Sequence, residues 1–166
     1  MKNEINCDLQ GEYSSAFING IHFLSNSKHH EIRTITNHLF ENTKSYQLIK
    51  SVIDDNSKSV YQGKIFVDPK AQKTDGYQLS KAVLLNEQAE FNAKPELEIY
   101  ADDVKCSHGS ASGSLNEDSI FYLMTRGLDY KAARELLING FLLDVIEKIT
   151  DEQIKKLIKN IIGLNQ

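Results

Sequence analysis

Along the first two-thirds of the chain, apolar residues come in short runs broken by polar corners. The runs predicted to be extended are Tyr13–Phe17, Ile21–Leu24, Glu31–Phe40, Tyr46–Ile53, Val60–Val67, Ala82–Leu85 and Glu96–Val104. Between them lie Asn19-Gly20, Ser25-Asn26-Ser27, Asp54-Asp55-Asn56-Ser57 and Asp75-Gly76. Their side chains bond nearby backbone or tolerate positive φ, so each is predicted to be a turn. The Asp54–Ser57 corner fits an antiparallel hairpin or the bend of a β-solenoid, and the pattern leaves both open. Many short strands at fairly even spacing suit a sandwich, a barrel or a parallel β-helix, although there is no strict hexapeptide repeat. A β-helix ends in a coil with unpaired backbone groups, so a cap is expected.

From Asn116 onward the period becomes helical. Asn116 is placed to cap a helix running through Phe121, Tyr122 and Leu123 to about Arg126, with Gly127 at its stop. Asp129 opens a longer helix in which Ala133, Leu136, Leu137, Phe141, Leu142, Val145 and Ile149 recur at helical spacing. Gly140 inside that run predicts a kink or a close packing contact. Thr150 and Gln153 have the spacing of a capping box for a third helix. In that helix Ile154, Leu157, Ile158, Ile161 and Ile162 lie opposite Lys155, Lys156, Lys159 and Asn160. Its stripe packs within the protein or docks a partner. The chain thus reads as a strand-rich body over residues 1–114, with a polar tail over about residues 1–11, and a helical module over residues 115–166.

Composition narrows the function. With 166 residues, 40% hydrophobic and 25% charged, the chain is long enough for a core and too apolar for wholesale disorder. A net charge of -4 and only three arginines, Arg33, Arg126 and Arg134, argue against a nucleic-acid partner. No apolar run approaches the roughly 18 residues of a membrane span, and the N-terminus lacks the apolar core of a signal peptide. A cytoplasmic location is expected, where Cys7 and Cys106 stay free thiols. Cys7 lies in the polar tail and is read as incidental.

The chemistry concentrates at Glu98–Gly109, where Cys106 and His108 stand two residues apart. On a strand such residues share a face, with Ser107 turned away. The Gly/Ser-rich run Gly109–Ser114 that follows lets another surface approach. The plain reading is a buried thiol and a capping imidazole. A nucleophilic cysteine with a histidine base is poorly supported, because Asp102 and Asp103 would raise the thiol pKa. Closed zinc sites need four ligands, and His22, His29, His30 and His38 read as surface or core-edge imidazoles, with adjacent His29 and His30 on opposite faces. The remaining reading is half of a metal or iron–sulfur site completed by another subunit. A carbohydrate-active or acyl-transferring β-helix enzyme is the alternative suggested by Asp102 and Asp103. Adjacent residues on a strand point apart, however, and cannot flank one glycosidic bond.

The run Lys94–Gly109 (KPELEIYADDVKCSHG) resembles the signature of the SufD family, scaffold subunits of the SUF iron–sulfur cluster assembly system. Gly63-Lys64-Ile65, Ala71–Gln78, Leu84-Leu85, Phe121-Tyr122-Leu123, Thr125–Leu128 and Gly140-Phe141 agree in order and spacing. The likeness runs from about Arg33 to Ile149 and corresponds to the second half of the family. It implies a mainly β fold, a partial right-handed parallel β-helix followed by a small C-terminal α-helical module. It also implies a non-catalytic scaffold that pairs with SufB, docks the ATPase SufC on its helices, and holds a transient iron–sulfur cluster shared with SufB. By carry-over His108 and Cys106 are the cluster and metal ligands. A homodimer is expected when the chain is isolated. There is no Gly-rich phosphate loop, so ATP hydrolysis is expected in the partner.

Overall fold

The computed structural model describes residues 1–162. It divides into two compact units, one of residues 1–112 and a second beginning at residue 113. Eight strands come first: β1 (Lys2–Leu9), β2 (Ser15–Leu24), β3 (His29–His38), β4 (Lys44–Ile53), β5 (Lys58–Val67), β6 (Asp75–Leu84), β7 (Glu90–Ile99) and β8 (Lys105–Ser114). Odd strands form one sheet in the order β1-β3-β5-β7 and even strands form the other, β2-β4-β6-β8. The pairs of known register are all parallel. Each coil therefore gives one strand to each sheet, which is a parallel β-helix of four coils.

The repeat length varies. Lys2 lies beside Glu31, 29 residues on, while Lys44 faces Asp75 at 31 and Lys58 faces Glu90 at 32. Stacking asks only that residues in one column be compatible in size and polarity, so the repeat leaves little trace as sequence identity.

Alternation sets the lumen. β5 buries Ser59, Tyr61, Gly63, Ile65 and Val67 and half-exposes the residues between them. β4 is buried on both faces from Gln47 to Ile53, as strands of parallel sheets often are. Three apolar clusters fill the interior. The first joins Leu24, Ile53, Ala82 and Ala89, the second Ile65, Val67, Ala71 and Ala101, and the third Ile32, Ile49 and Tyr61.

Polar side chains occupy the same lumen, which apolar periodicity did not reveal. Tyr61 Oη lies 3.3 Å from Gln47 Oε1, 3.2 Å from Gln78 Oε1 and 3.3 Å from Thr34 Oγ1. Gln78 in turn donates to the Glu96 carbonyl at 3.2 Å, tying β6 to β7 across the interior. A buried polar group left unpaired costs about 1–3 kcal/mol, so this network fixes which residues face one another. His38, fully buried, sits between Thr43 Oγ1 at 2.7 Å and Ser45 Oγ at 2.8 Å. Burial pushes its pKa down to about 4, against a weaker upward pull from Asp75, so the ring is neutral at pH 7.

The corners stack as the strands do. Asn26, Asn42, Asp55 and Lys73 adopt φ of 61°, 58°, 52° and 59°, a region that Asn and Asp enter more readily than most residues. Asn26 N–H donates to the Asp55 carboxylate at 2.8 Å, and Lys73 N–H to the Asp103 carbonyl at 2.6 Å. The Asp54–Ser57 corner is thus a solenoid bend between parallel coils and closes no hairpin. Three other expectations need correction. Residues 2–9, read as part of a polar tail, are a strand whose Lys2 and Glu4 reach Glu31 and Arg33 on β3. Asn19-Gly20 lies inside β2, where a Cβ on Gly20 would stand 2.9 Å from Ile49 Cδ1. Asp75-Gly76 opens β6. In both, glycine serves close packing rather than a turn.

The second unit holds α1 (Glu117–Thr125), α2 (Tyr130–Ile146) and α3 (Glu152–Ile161). Asn116 and Asp129 cap the first two, accepting from Ser119 N–H at 2.8 Å and Ala132 N–H at 2.7 Å. Gly127 stops α1 with φ 99°. The cap of α3 is Asp151, whose carboxylate accepts from Gln153 and Ile154 N–H, and not Thr150. Gly140 lies within α2, and a side chain there would meet nothing within 4 Å, so it serves no close contact.

Candidate functional site

The last coil is built from β7 and β8, each at the edge of its sheet. An edge strand presents unpaired N–H and C=O groups. Pro95 within β7 suits an edge, since proline has no N–H for a ladder. Gly63 buried on β5 lies beside Pro95, and Ile65 beside Leu97, so Phe91, Ala93, Pro95 and Leu97 are the lumen residues of the final coil. All four are only half-buried because no further coil covers them.

β8 runs beside β6, joined by Lys105 N–H to the Thr74 carbonyl at 2.8 Å and by Ser80 Oγ to Ser110 Oγ at 3.1 Å. Cys106 points inward. Its side chain packs with the cluster of Ile65, Val67, Ala71 and Ala101, and a Cβ on Gly76 would lie 3.3 Å from its Sγ. Burial pushes the thiol pKa up, Asp75 adds to that, and a backbone hydrogen bond from Gly76 opposes it. Cys106 is thus a protonated, half-buried thiol at neutral pH and a poor nucleophile. His108, two residues on, shares its strand face but is exposed, lying at the rim. Cys106 is half-buried and His108 exposed, so neither group is sealed away. On the opposite face of β8, Gly109 allows close approach to Leu79, 3.0 Å from where its Cβ would be.

Asp102 and Asp103 lie in the corner between β7 and β8. Asp103 accepts from Lys73 N–H, and its own N–H donates to Gln72 Oε1 at 3.0 Å, so its backbone serves the bend. Among the described residues no group of three or more His, Cys, Asp and Glu side chains is gathered as a metal site. Cys106 and His108 thus stand without a third such side chain gathered beside them among the described residues.

The helical unit adds a second surface. Lys155 lies 3.3 Å from Glu147 and 2.8 Å from Glu152, and Lys159 lies 3.0 Å from Glu147. These pairs hold the charged side of α3 against the end of α2. They leave Ile154, Leu157 and Ile161 exposed at 49%, 58% and 73%. Phe121, Tyr122, Met124 and Leu136 are also exposed, and an open groove of about 540 Å³ is lined by Asn116, Asp118, Ser119, Tyr122, Leu123 and Leu137. The amphipathic stripe was legible in the sequence; its outward orientation was not.

Residues 1–141 match the family model described as "SUF system FeS cluster assembly, SufBD core domain". The chain belongs to the SufBD family. Within it, the chain is SufD-like: it is 35% identical to the iron–sulfur cluster assembly protein SufD of Escherichia coli (strain K12) over 163 residues, covering 98% of this chain and 38% of that protein. It is 43% identical over 117 residues to the chloroplastic protein ABCI7 of Arabidopsis thaliana, covering 70% of this chain and 25% of that one. A SufBD family protein of Synechocystis is 43% identical over 103 residues, 62% of this chain and 23% of its own. The chain thus spans less than two-fifths of each of these relatives. No helix among the described residues is long and apolar enough to cross a membrane.

Proposed function

We propose that the chain is a non-catalytic scaffold component of iron–sulfur cluster assembly. In this reading the edge strands β7 and β8 meet SufB, and Cys106 with His108 supplies half of the ligands for a nascent cluster held between the two subunits. The observation that carries it is the pairing of a soft thiol and an exposed imidazole on one face of an edge strand, with coordination left incomplete. The cluster is cargo, and an incomplete ligand set suits release better than a closed four-thiolate cage.

The chain's own residues contribute in a defined order. His108, exposed at the rim, is positioned to meet iron first. Cys106 keeps its proton until a metal reaches it, because metal binding displaces the thiol proton and the half-buried thiolate is otherwise disfavoured. Gly76 gives the thiol its depth, and Gln78 bonded to the Glu96 carbonyl holds β7 in place beside it. The second role is docking. The outward stripe Ile154, Leu157 and Ile161, with the groove beside Tyr122, supports a site for the ATPase SufC, which supplies the energy this chain has no phosphate loop to harvest. A cytoplasm-like compartment fits the two free thiols.

The test is co-expression with SufB and SufC and recovery of the complex. Insertion of a charge at the rim, Ala93→Glu, should release SufB and leave SufC bound. Recovery of SufB with that variant at the wild-type level would refute the rim as its contact.

A further inference from the structure

We propose that His22 and His30 form a second metal site, a two-imidazole seat for a borderline divalent cation such as zinc(II), with water completing its shell. The site lies at the opposite end of the solenoid from β7 and β8 and does not depend on the scaffold reading.

His22 lies near the end of β2 and His30 near the start of β3, on either side of the Ser25–Lys28 corner. Adjacent His29 and His30 point apart, but the corner returns the chain so that His30 meets His22. Their ring centroids are 4.4 Å apart with the planes at 48°. In the next coil, Ser51 stands beside His22 and Ser59 beside His30.

The hydrogen bonding leaves ring nitrogens free. Ser51 Oγ lies 3.4 Å from His22 Nδ1 and 3.1 Å from Ser59 Oγ. When Ser51 donates to Ser59 it accepts from His22 Nδ1–H, which puts the His22 lone pair on Nε2. This is the arrangement in which a second-shell partner orients a ligating imidazole. His30 Nε2 is buried without a hydrogen-bond partner. Buried polar atoms nearly always find one, so this nitrogen is the strongest anomaly in the interior. A cation within reach of both rings would satisfy it.

No thiol or carboxylate joins the pair: among the described residues no cluster of three or more metal-ligating side chains exists. Two imidazoles with water suit an exchangeable borderline ion rather than a permanent four-ligand structural zinc.

The experiment uses the full chain carrying Cys106→Ser and His108→Ala, so that the rim cannot take up the metal. Zinc(II) is titrated while long-range proton–nitrogen NMR correlations report each imidazole. The expected result is one equivalent bound, with the His22 and His30 nitrogens shifting and those of His38 unmoved. His30→Gln should weaken binding at least tenfold, and Ser51→Ala by about tenfold, the low end of second-shell effects. Imidazole signals that stay in place at several equivalents of zinc would overturn the proposal. So would uptake that survives His30→Gln. The NMR readout on the His22/His30 background decides the matter even if a histidine variant folds poorly.

Discussion

The solenoid should lose stability on mild acidification, and His38 should account for a defined share. In the folded protein its ring is enclosed, with a pKa pushed by burial down to about 4, whereas an unfolded chain titrates near 6.5. Protons therefore bind the unfolded state first as pH falls. The stabilisation is fully present above pH 6.5 and is lost at about 1.4 kcal/mol per pH unit between there and pH 4. At pH 5 the loss from His38 is about 2 kcal/mol. His22, lowered to about 4 by burial and then by His30, acts in the same direction. The lysine-paired carboxylates Glu90, Glu98 and Glu147 have pKa values lowered by their lysine partners, so the stability they contribute is present above the ordinary carboxylate range and is lost at lower pH than that of His38. The assay is urea unfolding by circular dichroism in the β-sheet band at pH 7.5 and pH 5, for the wild type and for His38→Gln. The variant is expected to be weaker at pH 7.5 but to lose about 2 kcal/mol less on acidification. Equal losses in the two proteins, or a His38 NMR titration with its midpoint near 6.5, would refute the reasoning.

Three further outcomes follow from the packing. Gly63→Ala would drive a Cβ into Gln78 Oε1 and Tyr61 Oη, both buried, and should destabilise the β-helix by about 2 kcal/mol in the same unfolding assay. Alkylation of Cys106 by iodoacetamide, followed by mass spectrometry, should be slow at pH 7 and accelerate on going past pH 9, since burial raises the thiol pKa. Leu157→Glu, at a 58% exposed position, should change thermal stability by less than about 0.5 kcal/mol while abolishing recovery of SufC. A variant that unfolds would instead place Leu157 in a core.

The parts of the fold legible in the sequence were those where alternation and burial agree. Tyr46–Ile53 and Val60–Val67 lie wholly within β4 and β5, because both strands carry apolar side chains into the lumen. β1 and β8 were harder. The inward positions of β1 are Asn3, Ile5, Cys7 and Leu9, of which only Leu9 is buried, and those of β8 begin Cys106, His108 and Ser110, so polar residues interrupt the apolar signal of both terminal coils. The coil repeat was hidden for a related reason. One stacked column reads Ala16, Ser45, Gly76, matched in small size but not in identity. The Cys106 and His108 pairing was visible because it needs only the two-residue strand period. His22 meeting His30 was not, because that contact is made by a corner whose path no periodicity encodes. The hydrogen bonds among Tyr61, Gln47 and Gln78 likewise join residues 14 and 17 apart in sequence, across the lumen.

The central claim is that the exposed imidazole on β8 is a cluster ligand at a subunit junction. It is tested most directly by rebuilding the cluster anaerobically on the complex with SufB and SufC, using wild-type chain and His108→Ala, and counting iron per complex alongside the visible absorption spectrum. The account predicts that the variant co-purifies in full stoichiometry yet retains much less iron. Wild-type iron content and spectrum in an intact His108→Ala complex would contradict it.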